Sequence, residues 1–136
     1  MTSFISSLIE KVRRAKRVYV IGNGGSYANA QHIVNDLIKR GIKAHTIEPA
    51  CLSMLANDEG WENALAWWVS TVGEQGDLLI AMSGSGKSPN ILKAVTTARF
   101  VGLEVHTEYG YPKGLDMQKA EEAQIKMGHD LYRALK

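Results

Sequence analysis

The sequence predicts an α/β fold, a three-layer αβα sandwich in which a parallel sheet of about four to five strands lies between two layers of helices. Short apolar runs, typical of buried strands, alternate along the chain with longer segments in which apolar residues recur at helical spacing. Two loops rich in glycine and serine follow the first and third of these runs, at the edge where such sheets bind their ligands. The 136 residues, which contain no linker or repeat, are expected to form one domain, 1–136.

The first half of the chain begins with a predicted helix at 3–15, where apolar residues form a stripe at helical spacing. The run RVYVI at 17–21 is β-branched and aromatic and leads directly into GNGGS, so it predicts a buried strand that ends in a turn. Helical spacing returns at 26–40. A second strand is predicted at 43–48, before a proline, and a short helical piece at 51–57.

The second half of the chain repeats this alternation. Gly73 ends one helix, and Pro89 lies in the first turn of another, where proline is tolerated. The predicted elements are, in order, a helix at 61–72, a strand at 77–82, a helix at 88–100, a strand at 103–108, a loop at 108–114 and a last helix at 115–135.

Composition and charge exclude several classes of protein. The net charge of +2 is too small to indicate nucleic acid or an anionic membrane as a partner. Cys51 is the only cysteine, so no intrachain disulfide can form and a reducing cytoplasm is the expected location. No segment approaches the roughly 20 apolar residues that span a bilayer, and the first residues lack the pattern of a signal peptide. A cytoplasmic protein is expected.

Two segments resemble nucleotide-binding motifs but lack residues that those motifs require. The segment AMSGSGKS at 81–88 resembles a P-loop with alanine in place of its first glycine, yet no neighbouring strand ends in an acid that could hold magnesium. The segment IGNGGSY resembles a dinucleotide fingerprint, with Glu48 placed as a ribose-binding acid. Tyr27, however, stands where a small residue is needed for close helix packing. Neither nucleotide is favoured.

Serines at the starts of two predicted helices suit a phosphate ester better. Short hydroxyl side chains and backbone amides at helix amino ends form a neutral cradle for an anion. Ser26 and Ser88 could instead be simple N-caps, but three serines interleaved with glycines in SGSGKS exceed what capping requires. The predicted phosphate-binding residues are Asn23, Gly24, Gly25, Ser26, Ser83, Gly84, Ser85 and Ser88.

The segments GNGGSYANAQHIVNDL and SGSGKSPNILKA resemble the two signature segments of the SIS (sugar isomerase) domain family, in its phosphoheptose isomerase branch. The segment LANDEGW also resembles a loop of this family, and the resemblance runs from about Arg17 to Arg99. It implies a flavodoxin-like sheet and the isomerisation of sedoheptulose 7-phosphate for surface-polysaccharide heptose. Gly84 and Lys87 depart from the family pattern, which has threonine and asparagine there.

Four polar side chains on two predicted helices are candidates for the chemistry. His32 and Asp36 are four residues apart and share a helix face. The resemblance assigns catalytic or metal-binding roles to a His and a Glu on this helix and to a Gln and a His on the last helix. The matching positions are His32, Asp36, Glu121 and His129, a set that would suit zinc. The family's glutamate is thus replaced by Asp36, and its glutamine by Glu121.

The resemblance implies aldose–ketose isomerisation of a sugar phosphate through an enediol, with Asp36 or Glu121 as the base and His129 as the acid. Asp58 is a candidate for the substrate hydroxyls or a simple turn former. The choice of acid on the last helix stays open, because Glu122 lies closer than Glu121 to the helix face of His129. His45 and His106, inside predicted strands, and the lone cysteine are expected to be structural.

Two shortened regions bear on assembly. The family has a longer helical region before the first strand, which contributes to a tetramer, and here only residues 3–15 represent it. The segment before the last helix is also compressed, with a loop and one edge strand expected to be missing. Because family active sites are shared between subunits, a homodimer or tetramer is expected. Two alternatives stay open: a non-catalytic SIS protein that senses sugar phosphates or associates with a replication initiator, and an isomerase of another sugar phosphate.

Overall fold

Four parallel strands form one sheet in the order β2–β1–β3–β4. The strands of the computed structural model, which describes residues 3–110 and 114–136, are β1 (Val18–Ile21), β2 (Ala44–His45), β3 (Leu78–Ser83) and β4 (Glu104–Tyr109). Val18 pairs with Ala44 on one side and with Leu78 on the other. Every residue of β1 and β3 is buried, as expected for the two central strands of a parallel sheet covered on both faces.

In the described part of the chain, six helices cover the two faces of the sheet. They are α1 (Ser3–Arg14), α2 (Gly25–Lys39), α3 (Pro49–Glu59), α4 (Trp61–Val72), α5 (Pro89–Val101) and α6 (Met117–Ala134). Side chains alternate along the strands: Val18 and Val20 pack with α1, α2 and α6, whereas Tyr19 and Ile21 pack with α3, α4 and α5. The predicted three-layer sandwich is confirmed.

The second strand is shorter than the sequence predicts. A strand was expected over 43–48, but only Ala44 and His45 pair with β1. The carbonyl of Ile47 instead accepts the hydroxyl of Tyr27 from α2, and Glu48 is the N-cap of α3. Pro49 occupies the first turn of α3, where proline is tolerated, so the short helical piece predicted at 51–57 extends to 11 residues.

The region between the last strand and the last helix also differs from the prediction. Tyr109, expected in a loop, extends β4 by one residue beyond the predicted strand, while residues 111–113 of that loop lie outside the described part of the chain. The helix α6 begins two residues later than expected, because the Asp116 side chain caps it by accepting the Lys119 N–H at 2.9 Å.

Helix α6 runs beside α2 in the same direction, and this contact positions the candidate site. A Cβ added at Gly128 would lie 2.6 Å from Ile33 Cγ1, so the glycine permits a close approach. The Arg40 guanidinium lies 3.8 Å from the centre of the Tyr132 ring, and its Nε donates to the Tyr132 carbonyl at 2.8 Å. Among the residues described, no helix is both long and apolar enough to cross a membrane.

Candidate functional site

Two asparagine side chains join the two loops that hold the predicted phosphate-binding residues. Asn23 Nδ2 donates to Asn90 Oδ1 at 2.9 Å, and Asn90 Nδ2 donates to Asn23 Oδ1 at 2.8 Å. Asn90 lies in the first turn of α5 and is buried. The side chain of Asn23 is therefore engaged by Asn90, and this contact, which the sequence did not predict, holds the ends of β1 and β3 together.

The second loop, residues 83–88, brings three serine hydroxyls together. Ser83 Oγ lies 2.9 Å from Ser88 Oγ and 3.4 Å from Ser85 Oγ, and it accepts the Gly86 N–H at 3.0 Å. Ser83 is buried, whereas Ser85 and Ser88 are partly exposed. Ser88 is the N-cap of α5 but its side chain makes no capping hydrogen bond, so it is not there merely as a cap. The hydroxyls form a neutral cluster of groups that can donate to a phosphate.

The first turn of α6 packs against this second loop. A Cβ added at Gly84 would collide with the end of the Met117 side chain, whose Cε would lie at 3.0 Å. A Cβ added at Gly110 would lie 2.5 Å from Ala120 Cβ and 2.7 Å from the Gly84 carbonyl oxygen. The glycine at position 84, where the family pattern has threonine, therefore leaves room for α6 to approach the loop closely.

The first loop, residues 22–26, lies at the amino end of α2. Ser26 is buried and its backbone N–H donates to the Asn23 carbonyl at 2.9 Å. The N-cap of α2 is Gly24, which offers no side chain, and the first turn contains no acid. The Glu121 carboxylate of α6 lies here instead: a Cβ added at Gly25 would be 2.5 Å from Glu121 Cδ and 2.7 Å from its Oε1. Helix α6 thus places an acidic group at the positive end of the α2 dipole.

From this point a row of polar side chains continues along the contact between the two helices. Asn29 Nδ2 donates to the Glu121 carbonyl and to Gln124 Oε1, both at 3.0 Å. Gln124 is buried, and among the described residues its Nε2 has no hydrogen-bond partner. We call this row the α2–α6 seam; it comprises Gly25, Asn29, His32 and Asp36 of α2 with Glu121, Gln124 and His129 of α6.

The far end of the α2–α6 seam holds three of the four predicted metal ligands. His32 Nε2 lies 3.4 Å from Asp36 Oδ2, and the rings of His32 and His129 have their centres 5.4 Å apart at an interplanar angle of 67°. One ligand atom from each of the three residues lies within 4.8 Å of the others, and this is the group of potential metal ligands found in the described part of the chain. The structure thus brings together residues nearly a hundred positions apart in sequence.

This group of three side chains fits zinc after a small adjustment. Zinc bonds nitrogen and oxygen ligands at about 2.0–2.2 Å, so ligands of a tetrahedral site lie about 3.3 Å apart and these atoms would have to approach by up to about 1.5 Å. Rotation of the His32 side chain, which is 51% exposed, allows that movement. Glu121, the predicted fourth ligand, is not part of the group, because its carboxylate lies against Gly25.

The remaining candidates lie elsewhere. Asp58 is exposed in the last turn of α3, so its interpretation as a turn former is wrong, and Glu122 is exposed on α6. His45 is exposed on β2, whereas His106 is buried with its Nε2 3.4 Å from Glu108 Oε1.

The seam residues Asn29 and Gln124 were not recognised from sequence. Gly25, Asn29, His32 and Asp36 follow one another at intervals of four, three and four residues, which places them on one face of a helix. This spacing is the signal from which Asn29 could have been recognised.

Comparison with known families agrees with this architecture. The family model described as SIS domain matches residues 2–107, which cover most of the chain and both serine-rich loops. The chain therefore belongs to the SIS domain family.

Curated relatives narrow this assignment to the phosphoheptose isomerase branch. The phosphoheptose isomerase of Bradyrhizobium sp. (strain BTAi1 / ATCC BAA-1182) is 35% identical over 106 residues, which are 72% of this chain and 54% of that protein. That of Serratia proteamaculans (strain 568) is 34% identical over 132 residues, 92% of this chain and 68% of that protein. The chain thus spans about half the length of the first of these relatives and about two thirds of the second.

A solved structure shows the same fold. The phosphoheptose isomerase of Neisseria gonorrhoeae superimposes with a TM-score of 0.84 at 22% sequence identity, over 96% of this chain and 82% of that one. At this identity the likeness establishes the fold rather than the reaction.

Proposed function

We propose that the chain is an aldose–ketose isomerase of a phosphosugar that converts sedoheptulose 7-phosphate into glycero-manno-heptose 7-phosphate. The observation that carries this proposal is the α2–α6 seam, which has a phosphate-type loop at one end and an acid/base group at the other. His32 follows Gly25 by two helical turns on the same face, about 10 Å along the α2 axis at 1.5 Å per residue. An extended heptulose needs eight bonds from C1 to phosphorus, also about 10 Å at roughly 1.2 Å per bond.

The side chains of the cluster have the functions that the reaction requires. Asp36 is the proposed base, since its carboxylate lies beside His32, whereas Glu121 is held at the other end of the seam. Asp36 would remove a proton alpha to the carbonyl, and His129 would return one to the neighbouring carbon of the enediol. Ser83, Ser85 and Ser88, together with Ser26 and the other residues of the first loop, would hold the phosphate through hydroxyls and backbone amides.

A zinc ion held by His32, Asp36 and His129 would act as a Lewis acid that polarises the substrate oxygens during proton transfer. The family assignment and the donor set support this proposal. Asp58, exposed at the end of α3, remains a predicted contact for the substrate hydroxyls.

We further propose that the protein is a cytoplasmic homodimer or homotetramer whose active sites are shared between subunits. Large apolar side chains on neighbouring helices are exposed: Phe100 (93%), Trp61 (53%) and Trp67 (51%). Exposed apolar groups of this kind often mark contacts with other chains. Light scattering coupled to size-exclusion chromatography would give the number of chains.

The reaction is tested by proton exchange. The purified protein is incubated with sedoheptulose 7-phosphate in deuterated water, with and without added zinc, and the C1 proton signal is followed by NMR. We expect exchange for the parent and its loss, by a factor of roughly a hundred or more, in Asp36→Asn and His129→Ala. Asp130→Asn is the matched control, because Asp130 follows His129 but pairs with Lys126 at 2.8 Å. Tight binding without exchange in the parent would contradict catalysis and indicate a sugar-phosphate sensor.

A further inference from the structure

We propose that Glu121 acts as an internal competitor for the substrate's phosphate at the first loop, rather than as a metal ligand or the catalytic base. This inference rests on the proposed function in one respect only, the assignment of residues 22–26 to phosphate binding. The Glu121 carboxylate lies directly against Gly25, the first residue of α2. A phosphate that binds the amino end of α2 would need the same space and the same positive potential.

Several contacts hold Glu121 in this position. Its backbone carbonyl accepts Asn29 Nδ2 at 3.0 Å, which fixes the turn of α6 that carries it. The same Asn29 amide group donates to Gln124 Oε1 one turn further along α6. The preceding residue, Ala120, packs against Gly110. The carboxylate is therefore delivered to the loop by a fixed section of helix.

The sequence of α2 explains why the carboxylate of Glu121 changes the electrostatic potential at the amino end of that helix. The helix has no acid in its first turn and no side-chain cap, so its own residues leave the positive end of its dipole uncompensated. Glu121 supplies that charge from α6. The family pattern, as stated above, has a neutral glutamine here, so the acid adds one negative charge beside the phosphate loop of this chain. The second loop contains only neutral serines and glycines together with Lys87, and it lacks any such carboxylate in its own sequence.

The consequence is that phosphate binds more weakly at the first loop than the backbone there permits. Replacing Glu121 by glutamine removes one like charge a few ångströms from the anion, and we expect inorganic phosphate to bind roughly tenfold more tightly. Glu121→Ala should have a similar effect, because both variants remove the charge. Glu122→Gln removes the same net charge from the neighbouring, exposed position and should leave the affinity unchanged.

The experiment is a titration of the full chain and these three variants with inorganic phosphate, followed by the backbone amide shifts of Gly24, Gly25 and Ser26 in NMR spectra. Tighter binding in both Glu121 variants, but not in Glu122→Gln, would support the proposal. Equal affinity in all proteins, no response of these amides, or tighter binding in Glu121→Gln alone would overturn it, since the last result would indicate a new amide contact. Phosphate binding does not require turnover, so this result is independent of the exchange experiment. If the parent protein exchanges the C1 proton but the Glu121 variants do not bind phosphate more tightly, the proposed reaction would be supported and the proposed role of Glu121 would be wrong.

Discussion

The two glycine- and serine-rich loops look alike in sequence but differ in how far their polar groups are already occupied. In the first loop, the Asn23 side chain bonds to Asn90, and the Glu121 carboxylate lies against Gly25. In the second loop, the hydroxyls bond chiefly to one another and to loop amides, and Ser85 remains partly exposed. The hydroxyls of the second loop are thus bonded within that loop, while the first loop, whose Gly24 and Gly25 are exposed, also holds the two halves of the sheet together.

This difference originates outside the loops. The groups that occupy the first loop come from α5 and α6, which lie far along the chain. The partners of the second loop's hydroxyls are within the loop and at the start of α5. A local pattern of glycine and serine therefore predicts where an anion site lies, whereas distant helices determine how readily it is filled.

The largest expected effect is on catalysis through the second loop. Ser83→Ala removes the hydroxyl that contacts both Ser85 and Ser88, so the cluster loses its central group. Hydrogen bonds to a charged group contribute about 1.5–3 kcal/mol, so kcat/KM for the sugar phosphate should fall roughly 10- to 150-fold. Steady-state kinetics would measure this. Ser70→Ala on α4, whose hydroxyl only bonds to the Trp67 carbonyl, is the control.

For the first loop the main effect should be on stability. Asn90→Ala leaves the Asn23 amide without its two hydrogen bonds, in a region where Asn90 itself is buried. We expect a loss of about 1–3 kcal/mol in the free energy of unfolding, measured by urea denaturation. The double variant Asn23→Ala with Asn90→Ala should lose less than the sum of the single variants, because both disrupt the same contact. Strict additivity would show that the pair does not join the loops.

The sequence predicted the layers and the two serine-rich loops from local patterns, whereas the pairing of His32 and Asp36 with His129 was predicted from the family resemblance. Apolar runs and helical spacing predicted every strand and helix, and helical spacing placed His32 and Asp36 on one face. The sequence-based predictions that failed concern contacts between segments that are far apart in the chain. The carbonyl of Ile47 is bonded by a tyrosine from α2, which shortens β2, and the carboxylate of Glu121 is drawn to the amino end of another helix. Spacing along a chain carries no information about such partners.

The next expected effect is a difference in stability between alanine variants of two glycines that both face α6. A Cβ at Gly110 would meet Ala120 Cβ and the Gly84 carbonyl, neither of which can swing away, so Gly110→Ala should destabilise the protein by about 1–3 kcal/mol. A Cβ at Gly84 would meet the end of Met117, a flexible and half-exposed side chain that can rotate aside. Gly84→Ala should therefore change Tm by less than Gly110→Ala does. Equal changes in Tm would mean that α6 is held rigidly through Met117 as well.

The smallest effect is expected at Lys87, the residue that makes the second loop resemble a nucleotide P-loop. Its side chain is exposed, and its backbone N–H donates to Ser85 Oγ at 3.1 Å. Lys87→Asn keeps that backbone donor and removes one exposed charge, so kcat/KM for the sugar phosphate should change by no more than about threefold. In a P-loop the lysine contacts the β- and γ-phosphates directly, and its replacement would abolish function. Kinetics of Lys87→Asn beside Ser83→Ala thus distinguishes a cradle of neutral hydroxyls from a site centred on a lysine, and a loss as large as that of Ser83→Ala would favour the lysine.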